Sequence, residues 1–347
     1  MMLLNACSVD DFGVNPPGLP ATNDFATSIS QTSEIVEKDI LEIPLPNELS
    51  SPSMEYSGLG WYQDSLILLP QYPDRLSDGR YGLLYAIELQ NLIDYVNDQN
   101  TEITVHKIPF DDADLSRQLN GFEGFEAIVF IEHSVYMTIE TRGGNPMKSF
   151  LVNGTVEVSQ GMIISIKLDG SSLVELPVQN NNSNASYETL TTDGDFIYAF
   201  FEQNGKAQND NPYAIRFDPA LKEKDEIEVD SINYRLTDAT LVDDVGCFWM
   251  INYFFPGDTH LLVDEDPISA RYGLGESHQK NEPVERLVKY CLVQEGFVLT
   301  QNPPLYLKLL ENDEARNWEG LAEFGDLGFL IITDKFPGSI LGYIELK

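Results

Sequence analysis

Basic residues, histidine and cysteine are all scarce in this chain. Lysine and arginine number 21 against 56 acidic residues, and the formal net charge of −35 opposes contact with nucleic-acid phosphate and with anionic lipid surfaces. We therefore expect no nucleic-acid partner. The three cysteines and four histidines form no closely spaced cluster, which argues against a structural zinc site.

Long apolar runs and familiar catalytic motifs are also missing. No stretch is long enough to cross a bilayer as a helix. A glycine-rich phosphate loop, a Ser-His-Asp order and an HExxH pattern are absent, which argues against nucleophilic triads and zinc hydrolases. With 42% apolar residues in 347, the chain can still bury a large core, and all-β folds of this size often form one domain.

A fivefold internal repeat is the strongest positive signal. Five stretches align without a gap, and four of them carry an oxygen-bearing side chain in the same column. The residue before this column is aromatic in four copies, and a turn follows seven positions after it. Such self-similarity is typical of repeat architectures. The column residues are Ser57, Glu126, Glu188, Ala239 and Glu319.

Each repeat is predicted to contain four strands. The first two form a hairpin with a tight turn, and a third strand with alternating polarity follows. Fourth strands are clearest at 106–110 and 174–178, where a proline indicates an outer edge. The third strands are predicted at 85–89, 164–168, 213–217, 288–292 and 342–346.

The fifth repeat has no fourth strand after its third, whereas residues 41–45 show the proline-bearing pattern of a fourth strand. We therefore predict an all-β fold, a five-bladed β-propeller with four-stranded blades, whose ring is closed by this N-terminal strand. Six blades and an irregular β-sandwich are the structural alternatives. The propeller is expected to occupy residues 39–347 as a single domain.

The N-terminal residues predict export. Residues 1–7 end in Leu-Asn-Ala-Cys, which resembles a bacterial lipoprotein box, and Cys7 would be the lipidated residue. The stretch before it is shorter than a usual signal, so the true start would lie upstream of Met1. Residues 8–38 are rich in Pro, Ser, Thr and Asn, as a flexible tether would be. We expect an extracytoplasmic monomer that touches the membrane only through this anchor; the alternative is a free thiol on a disordered tail.

The remaining two cysteines, Cys247 and Cys291, fall on neighbouring predicted strands of one repeat. A disulfide is compatible with this placement if the strand register allows it, and two free thiols are the alternative.

The recurring column predicts a metal site. In a propeller, equivalent positions of successive blades surround the central channel, so Ser57, Glu126, Glu188 and Glu319 should converge there. Three carboxylates in one place must take up protons or share a cation. An oxygen-only ligand set in a wide ring favours Ca²⁺. Ala239 interrupts the ring, where water, Asp238 or Thr240 could fill in. Alternatively, the glutamates bind backbone amides without any metal.

These motifs resemble those of the calcium-activated nucleotidases (apyrases). The segment Asn317-Trp-Glu-Gly-Leu321 is similar to the last blade motif of that family, and with Thr333-Asp334 it also resembles the phytase-like, esterase-like propellers of exported bacterial proteins. The resemblance covers the repeat cores, about a quarter of the chain. It implies a five-bladed propeller with a central calcium held by serines and glutamates. Apyrases have a serine in the fourth blade, where this chain has Ala239.

A substrate site is expected around the ring. Two long predicted loops, 141–160 and 254–285, and the residues flanking Glu319 carry basic side chains that could bind a small anionic substrate such as a phosphate. The predicted substrate-binding residues are Arg142, Arg271, Arg316 and Lys335. Asp334, Glu140 and Glu202, at the ends of second strands, are the candidate general bases. Two function classes follow: a calcium-dependent hydrolase of phosphate esters or anhydrides, and a non-catalytic propeller that binds a glycan or protein partner.

Overall fold

The structure is a computed structural model that describes residues 35–77, 79–142, 147–182 and 184–346. Cys7, the lipoprotein-like box and most of the predicted tether lie outside the described residues. Within them the fold is all-β, as predicted, with short helices in the connections. In this part of the chain, no helix combines the length and apolarity needed to span a membrane.

The described strands fall into groups that follow the repeats. The first two groups, preceded by the N-terminal strand, are β1 (Leu41–Ile43), β2 (Tyr56–Tyr62), β3 (Ser65–Pro70), β4 (Gly82–Glu88), β5 (His106–Asp111), β6 (Phe122–Ile131), β7 (Ser134–Thr141), β8 (Lys148–Ser159), β9 (Met162–Leu168) and β10 (Val174–Leu176). The last three groups are β11 (Thr189–Thr192), β12 (Ile197–Phe200), β13 (Tyr213–Phe217), β14 (Lys224–Glu228), β15 (Arg235–Ala239), β16 (Cys247–Phe254), β17 (Val284–Val293), β18 (Gly296–Leu299), β19 (Leu305–Tyr306), β20 (Trp318–Glu323), β21 (Gly328–Thr333) and β22 (Leu341–Glu345).

Three α-helices and five short 3₁₀ helices connect the described strands. The α-helices are α1 (Leu89–Asn97), α2 (Leu115–Gln118) and α3 (Pro267–Tyr272). The 3₁₀ helices span Pro52–Met54, Pro73–Leu76, Gly170–Ser172, Thr259–Leu261 and Gly325–Leu327.

The strands form four hydrogen-bonded sheets in the described residues, where five separate blades are predicted. The sheets are β1-β22-β21-β20, β11-β12-β13-β14, β15-β16-β17-β18 with β19 beside β17, and a nine-stranded sheet β2-β3-β4-β5-β9-β8-β7-β6 with β10 beside β8. The large sheet arises because β5 and β9 pair in parallel, Phe110 with Ile166 and Asp111 with Lys167. This short contact joins the outer strands of the first two repeats.

The first strand of each repeat packs against the first strands of the two neighbouring repeats. β2 lies against β6 and β20, β6 against β11, β11 against β15, and β15 against β20, which closes a cycle. The approach is tight where β20 meets β2. A side chain at Gly320 would place its Cβ 2.6 Å from Ile332 Cγ2 and 2.9 Å from Leu59 Cγ, so glycine is required there.

Apolar packing follows the same cycle. Five buried clusters lie between successive repeats, from the first and second to the fifth and first. In the last of these contacts Leu59 and Leu66 pack with Phe324 and Leu330. Since each hairpin buries one face against the preceding repeat and one against the next, no repeat has a complete core by itself.

The N-terminal strand completes the sheet of the last repeat. In β1, Leu41 pairs with Tyr343 and Ile43 with Leu341, antiparallel to β22. Ile43 and Leu45 are buried in the cluster between the first and fifth repeats. The sequence predicts this pairing, and the structure has it.

The second repeat differs from its prediction. Residues 141–160 were expected to be a long loop, but most of them form β8. The whole of β7 pairs with β8. The predicted third strand at 164–168 is therefore the fourth, β9, and the strand predicted at 174–178 is β10, which pairs with β8. The alternating run from Lys148 to Ser159 carries the strand signal that the repeat alignment passed over.

Cys247 and Cys291 form a disulfide. They are direct partners in the antiparallel β16–β17 pair, so the strand register brings the two side chains to the same point. Of the two open alternatives for these cysteines, the structure has the bonded one.

Candidate functional site

Three of the five column residues, Ser57, Glu126 and Glu319, sit in β-bulges. In the first hairpin, Tyr56 pairs with Pro70 and Gly58 with Leu69, so Ser57 is the extra residue. The same register shift leaves Glu126 and Glu319 unpaired in their hairpins. A bulge re-aims the side chain of its extra residue and interrupts pairing at that point. The recurring column is therefore a recurring bulge.

The third repeat follows the same plan just before β11. Glu202 N donates to Ser186 O at 3.0 Å, and the next ladder pair is Thr189 with Phe200. Between Ser186 and Thr189 the first strand has one residue more than the second strand has between Phe200 and Glu202. Glu188 is therefore the extra residue of a bulge.

In the fourth repeat the bulge falls at Thr237 and Asp238, whereas Ala239 pairs with Met250. Thr237 Oγ1 donates to the carbonyl oxygen of Trp318 at 2.6 Å, as Ser57 Oγ donates to that of Phe125 at 2.5 Å. In each case the acceptor precedes the bulge residue of a neighbouring repeat. Ala239 is buried in an apolar cluster.

The gap-free alignment misplaces this position because hairpin turns differ in length. The first hairpin turns through two residues, between Tyr62 and Ser65, whereas the fourth needs the longer stretch Asp243–Cys247. A strand register depends on its turn, so a longer turn shifts the equivalent position away from the aligned one.

The ring residues line one cavity of about 360 Å³. Four predicted ring residues, two predicted bases and two predicted substrate-binding residues meet there: Ser57, Glu126, Glu188, Glu319, Glu140, Asp334, Arg142 and Lys335. The lining residues that sequence reasoning missed are Glu55, Tyr56, Gln71, Tyr72, Glu123, Asn184, Arg235, Tyr253, Phe255, Asp258, Asn317 and Phe336. Eight carboxyl side chains and three basic ones line the cavity, so its field is strongly negative.

The acids come in pairs along the hairpins. Glu126, Glu188 and Glu319 at the bulges stand beside acids at the ends of the second strands, and these are Glu140, Glu202 and Asp334. Burial raises the pKa of each bulge glutamate well above its usual value, and the charge of its hairpin partner raises it further. These carboxyl groups therefore favour protons or a bound cation at neutral pH.

Two partner acids have milder shifts. Burial raises the pKa of Glu202 to about 7, against the opposing effect of Arg235. Burial raises the pKa of Asp334 to about 6, with Lys335 opposing the change. Asp334 accepts a hydrogen bond from Asn317 Nδ2 at 3.2 Å. An acid that titrates near neutrality can exchange protons there, which suits a general base.

The bulge glutamates differ in their hydrogen bonds. Glu126 Oε1 accepts from Gln71 Nε2 at 2.9 Å. Glu188 Oε2 is buried without a hydrogen-bond partner, although such orphaned oxygens are rare in folded proteins. Among the residues described, no three His, Cys, Asp or Glu side chains are grouped closely enough to hold a metal ion in the present conformation. A shared cation would require the glutamate side chains to turn toward one another.

The rim of the cavity carries two basic side chains. Lys335 Nζ lies 3.1 Å from Glu55 Oε2 and 3.9 Å from Asp334 Oδ2. Arg142 Nη1 lies 3.8 Å from Glu123 Oε2. Both side chains are partly exposed, so a ligand can reach them.

Three predicted site residues lie elsewhere. Glu202 is fully buried behind the lining, where it is paired with Arg235. Arg316 is also buried and lies 2.8 Å from Glu285 Oε2. Arg271, in α3, is exposed and stacks its guanidinium 5.1 Å from the Tyr272 ring centre.

No family model matches this chain, and no curated protein matches it. Several solved structures are similar. A β-fructofuranosidase of family GH32 from Bombyx mori matches with a TM-score of 0.47 at 12% identity, over 84% of this chain and 63% of that one. A GH43_1 enzyme from Xanthomonas citri gives a TM-score of 0.46 at 9% identity, over 88% and 90%. A glucose dehydrogenase gives 0.43 at 10% identity, over 88% and 99%. None of these likenesses identifies a family or an activity.

Proposed function

We propose that the fold is a five-bladed β-propeller. Each repeat contributes one blade, and the nine-stranded sheet is two blades joined at the β5–β9 contact. The closed cycle of five first strands and the five clusters between repeats support this reading. Strand β1 is then the outer strand of the last blade.

We further propose that the cavity binds Ca²⁺. The candidate ligands are the bulge residues Ser57, Glu126, Glu188 and Glu319, which line the cavity. We assign no ligand to the fourth repeat, because the hydroxyl of Thr237 donates to the carbonyl of Trp318 and Ala239 lies in an apolar cluster. The orphaned oxygen of Glu188 is the observation that carries this proposal, because a buried carboxylate oxygen without a donor is a vacant ligand position. The donor set contains oxygen alone and is crowded with like charges, which fits calcium.

The proposed activity is calcium-dependent hydrolysis of phosphate esters or anhydrides. Calcium in such a site would neutralise and polarise a phosphoryl oxygen. Arg142 and Lys335 at the rim would bind the remaining anionic oxygens, and Asp334 would accept a proton from the attacking water. Glu140 is the second candidate base. Glu202 is less suitable since its carboxylate is held by Arg235.

The test combines binding and turnover. The melting temperature should rise with the logarithm of free Ca²⁺ above the dissociation constant and fall again with EDTA. Glu188→Gln and Glu319→Gln should weaken this response strongly, whereas Glu228→Gln, at an exposed edge strand, should not. With Ca²⁺ present, phosphoester or nucleotide substrates should be hydrolysed, and Asp334→Asn should abolish turnover even at Ca²⁺ concentrations that saturate the variant.

Two other outcomes are informative. Calcium binding without any turnover would favour the non-catalytic alternative. In that case the ion would stabilise the centre of the propeller, and the loops would bind a glycan or protein partner. A melting curve indifferent to both Ca²⁺ and EDTA would reject the calcium site itself.

We propose that the protein is exported and anchored by a lipid at Cys7, as a monomer without a nucleic-acid partner. The Cys247–Cys291 disulfide supports export, because disulfides persist mainly in oxidising compartments. The strongly acidic composition supports the absence of nucleic-acid contacts.

A further inference from the structure

Arg235 is a basic residue set deep in the acidic wall of the cavity. It begins β15, and its side chain is only 8% exposed, compared with 57% for Arg142 and 40% for Lys335. Burying a guanidinium is costly unless acids surround it. Arg235 therefore has a different role from the two basic residues at the rim.

Three acids surround this guanidinium. Nη1 is paired with Glu202 Oε2, Nε donates to Asp258 Oδ2 at 2.8 Å, and Nη1 lies 4.0 Å from Glu188 Oε1. Glu188 thus has one oxygen toward Arg235 and the other, Oε2, without a partner. The same glutamate faces an internal cation on one side and has an open coordination position on the other.

We propose that Arg235 is a built-in counter-ion in the wall of the cavity and that it competes with an external cation for Glu188. The competition rests on the calcium site proposed above, whereas the counter-ion role does not. With no cation bound, Arg235 offsets part of the repulsion among Glu188, Glu202 and Asp258. With a cation bound, its positive charge opposes the ion and lowers the affinity of the site.

The counter-ion role is tested in metal-free protein. Arg235→Met keeps much of the side-chain volume and removes the charge. In EDTA at pH 8 we expect its melting temperature to fall by about 10 °C, because Glu202 and Asp258 lose their buried ion-pair partner. Arg142→Met, which removes a base from the exposed rim, serves as the matched control and should change little.

A second variant covers the case in which Arg235→Met fails to fold at pH 8. Combining it with Glu202→Gln removes the excess negative charge, so the double variant should regain stability at pH 8. Equal destabilisation of the single and double variants would mean that Arg235 acts through packing alone, and would overturn the proposal.

The competition is tested by calcium titration calorimetry. Removing Arg235 should lower the Kd for Ca²⁺ at least about tenfold, since a positive charge near the ion disappears. Arg235→Lys, which keeps the charge, should stay within about threefold of the unmodified protein. A Kd that is unchanged or weaker in Arg235→Met would reject the competition. If the unmodified protein binds no Ca²⁺, the proposed function fails, and the comparison of single and double variants in EDTA still decides the counter-ion role.

Discussion

Gln71 donates its side-chain amide to Glu126 across neighbouring hairpins, with 2.9 Å between Nε2 and Oε1. Gln71 N donates to Glu55 O, the ladder position that Glu140, Glu202 and Asp334 occupy in three other hairpins. In the first hairpin the bulge and this position therefore carry the neutral side chains Ser57 and Gln71. Gln71 supplies a hydrogen-bond donor where those three hairpins carry a carboxyl group.

Changing Gln71 to Glu should extend the acidic pairs to the first hairpin. The variant loses the donor to Glu126 and gains a carboxylate beside it, which should cost roughly 1–3 kcal/mol of stability in EDTA at pH 8. Thermal melts at pH 8 and pH 5 measure this, with exposed Gln301→Glu as the control. An equal loss at both pH values would show that charge is not the cause.

The pH dependence of stability follows from the raised acid pKa values. An acid whose folded-state pKa lies above its unfolded value binds more protons when folded, so stability falls as pH rises between the two values. For Asp334 this window runs from about 4 to about 6, and for Glu202 it runs from about 4 to about 7. The raised pKa of each bulge glutamate acts in the same direction.

Metal-free protein should therefore melt at a higher temperature at pH 5.5 than at pH 8. Glu188→Gln should reduce this difference and stabilise the metal-free protein at pH 8, because a buried group that resists ionisation has been made neutral. The exposed Glu228→Gln should keep the slope of the unmodified protein. A melting temperature that rises from pH 5.5 to pH 8 in EDTA would contradict the raised pKa values.

Replacing Thr237 by Val tests whether its hydroxyl ties two repeats together. The change keeps the side-chain shape but leaves the buried carbonyl of Trp318 without its donor, which should cost roughly 1–3 kcal/mol. Urea unfolding measures the loss, and Thr155→Val on the exposed face of β8 is the control. A Thr237 variant as stable as this control would show that the hydrogen bond between repeats contributes nothing.

Deleting the N-terminal strand should open the last repeat. A chain starting at residue 35 keeps β1, whereas one starting at residue 47 loses its pairing with β22 and the buried Ile43 and Leu45. The loss should be roughly 5 kcal/mol or more, which lowers the melting temperature by at least about 10 °C. Matching melting curves for the two deletions would refute closure by this strand.

The lipid anchor is tested through Cys7. Expressed from an upstream start that encodes a basic and then an apolar segment, the protein should partition with membranes, and Cys7→Ala should release it. Fractionation and mass spectrometry of the N-terminal peptide measure this. An upstream reading frame without such a segment would remove the lipoprotein hypothesis.

The sequence alone determined the repeats, the hairpins and the closing strand. These features depend on local patterns: alternation of polar and apolar residues, turn residues between strands, and proline on an edge. The aromatic residue followed by Ser57, Glu126, Glu188 or Glu319 also recurs locally, and it marks four of the five bulges in the sequence.

The tertiary structure alone decided which side chains meet in the cavity. In the fourth hairpin a longer turn moves the bulge from Ala239 to Thr237, which does not line the cavity. Arg235 lines the cavity, whereas Arg316 and Arg271 lie elsewhere. No local sequence pattern distinguishes the arginine that lines the cavity from the two that do not. Charge pairing between repeats depends on distances across the hub, which are set by the packing of all five hairpins and not by neighbours in the chain.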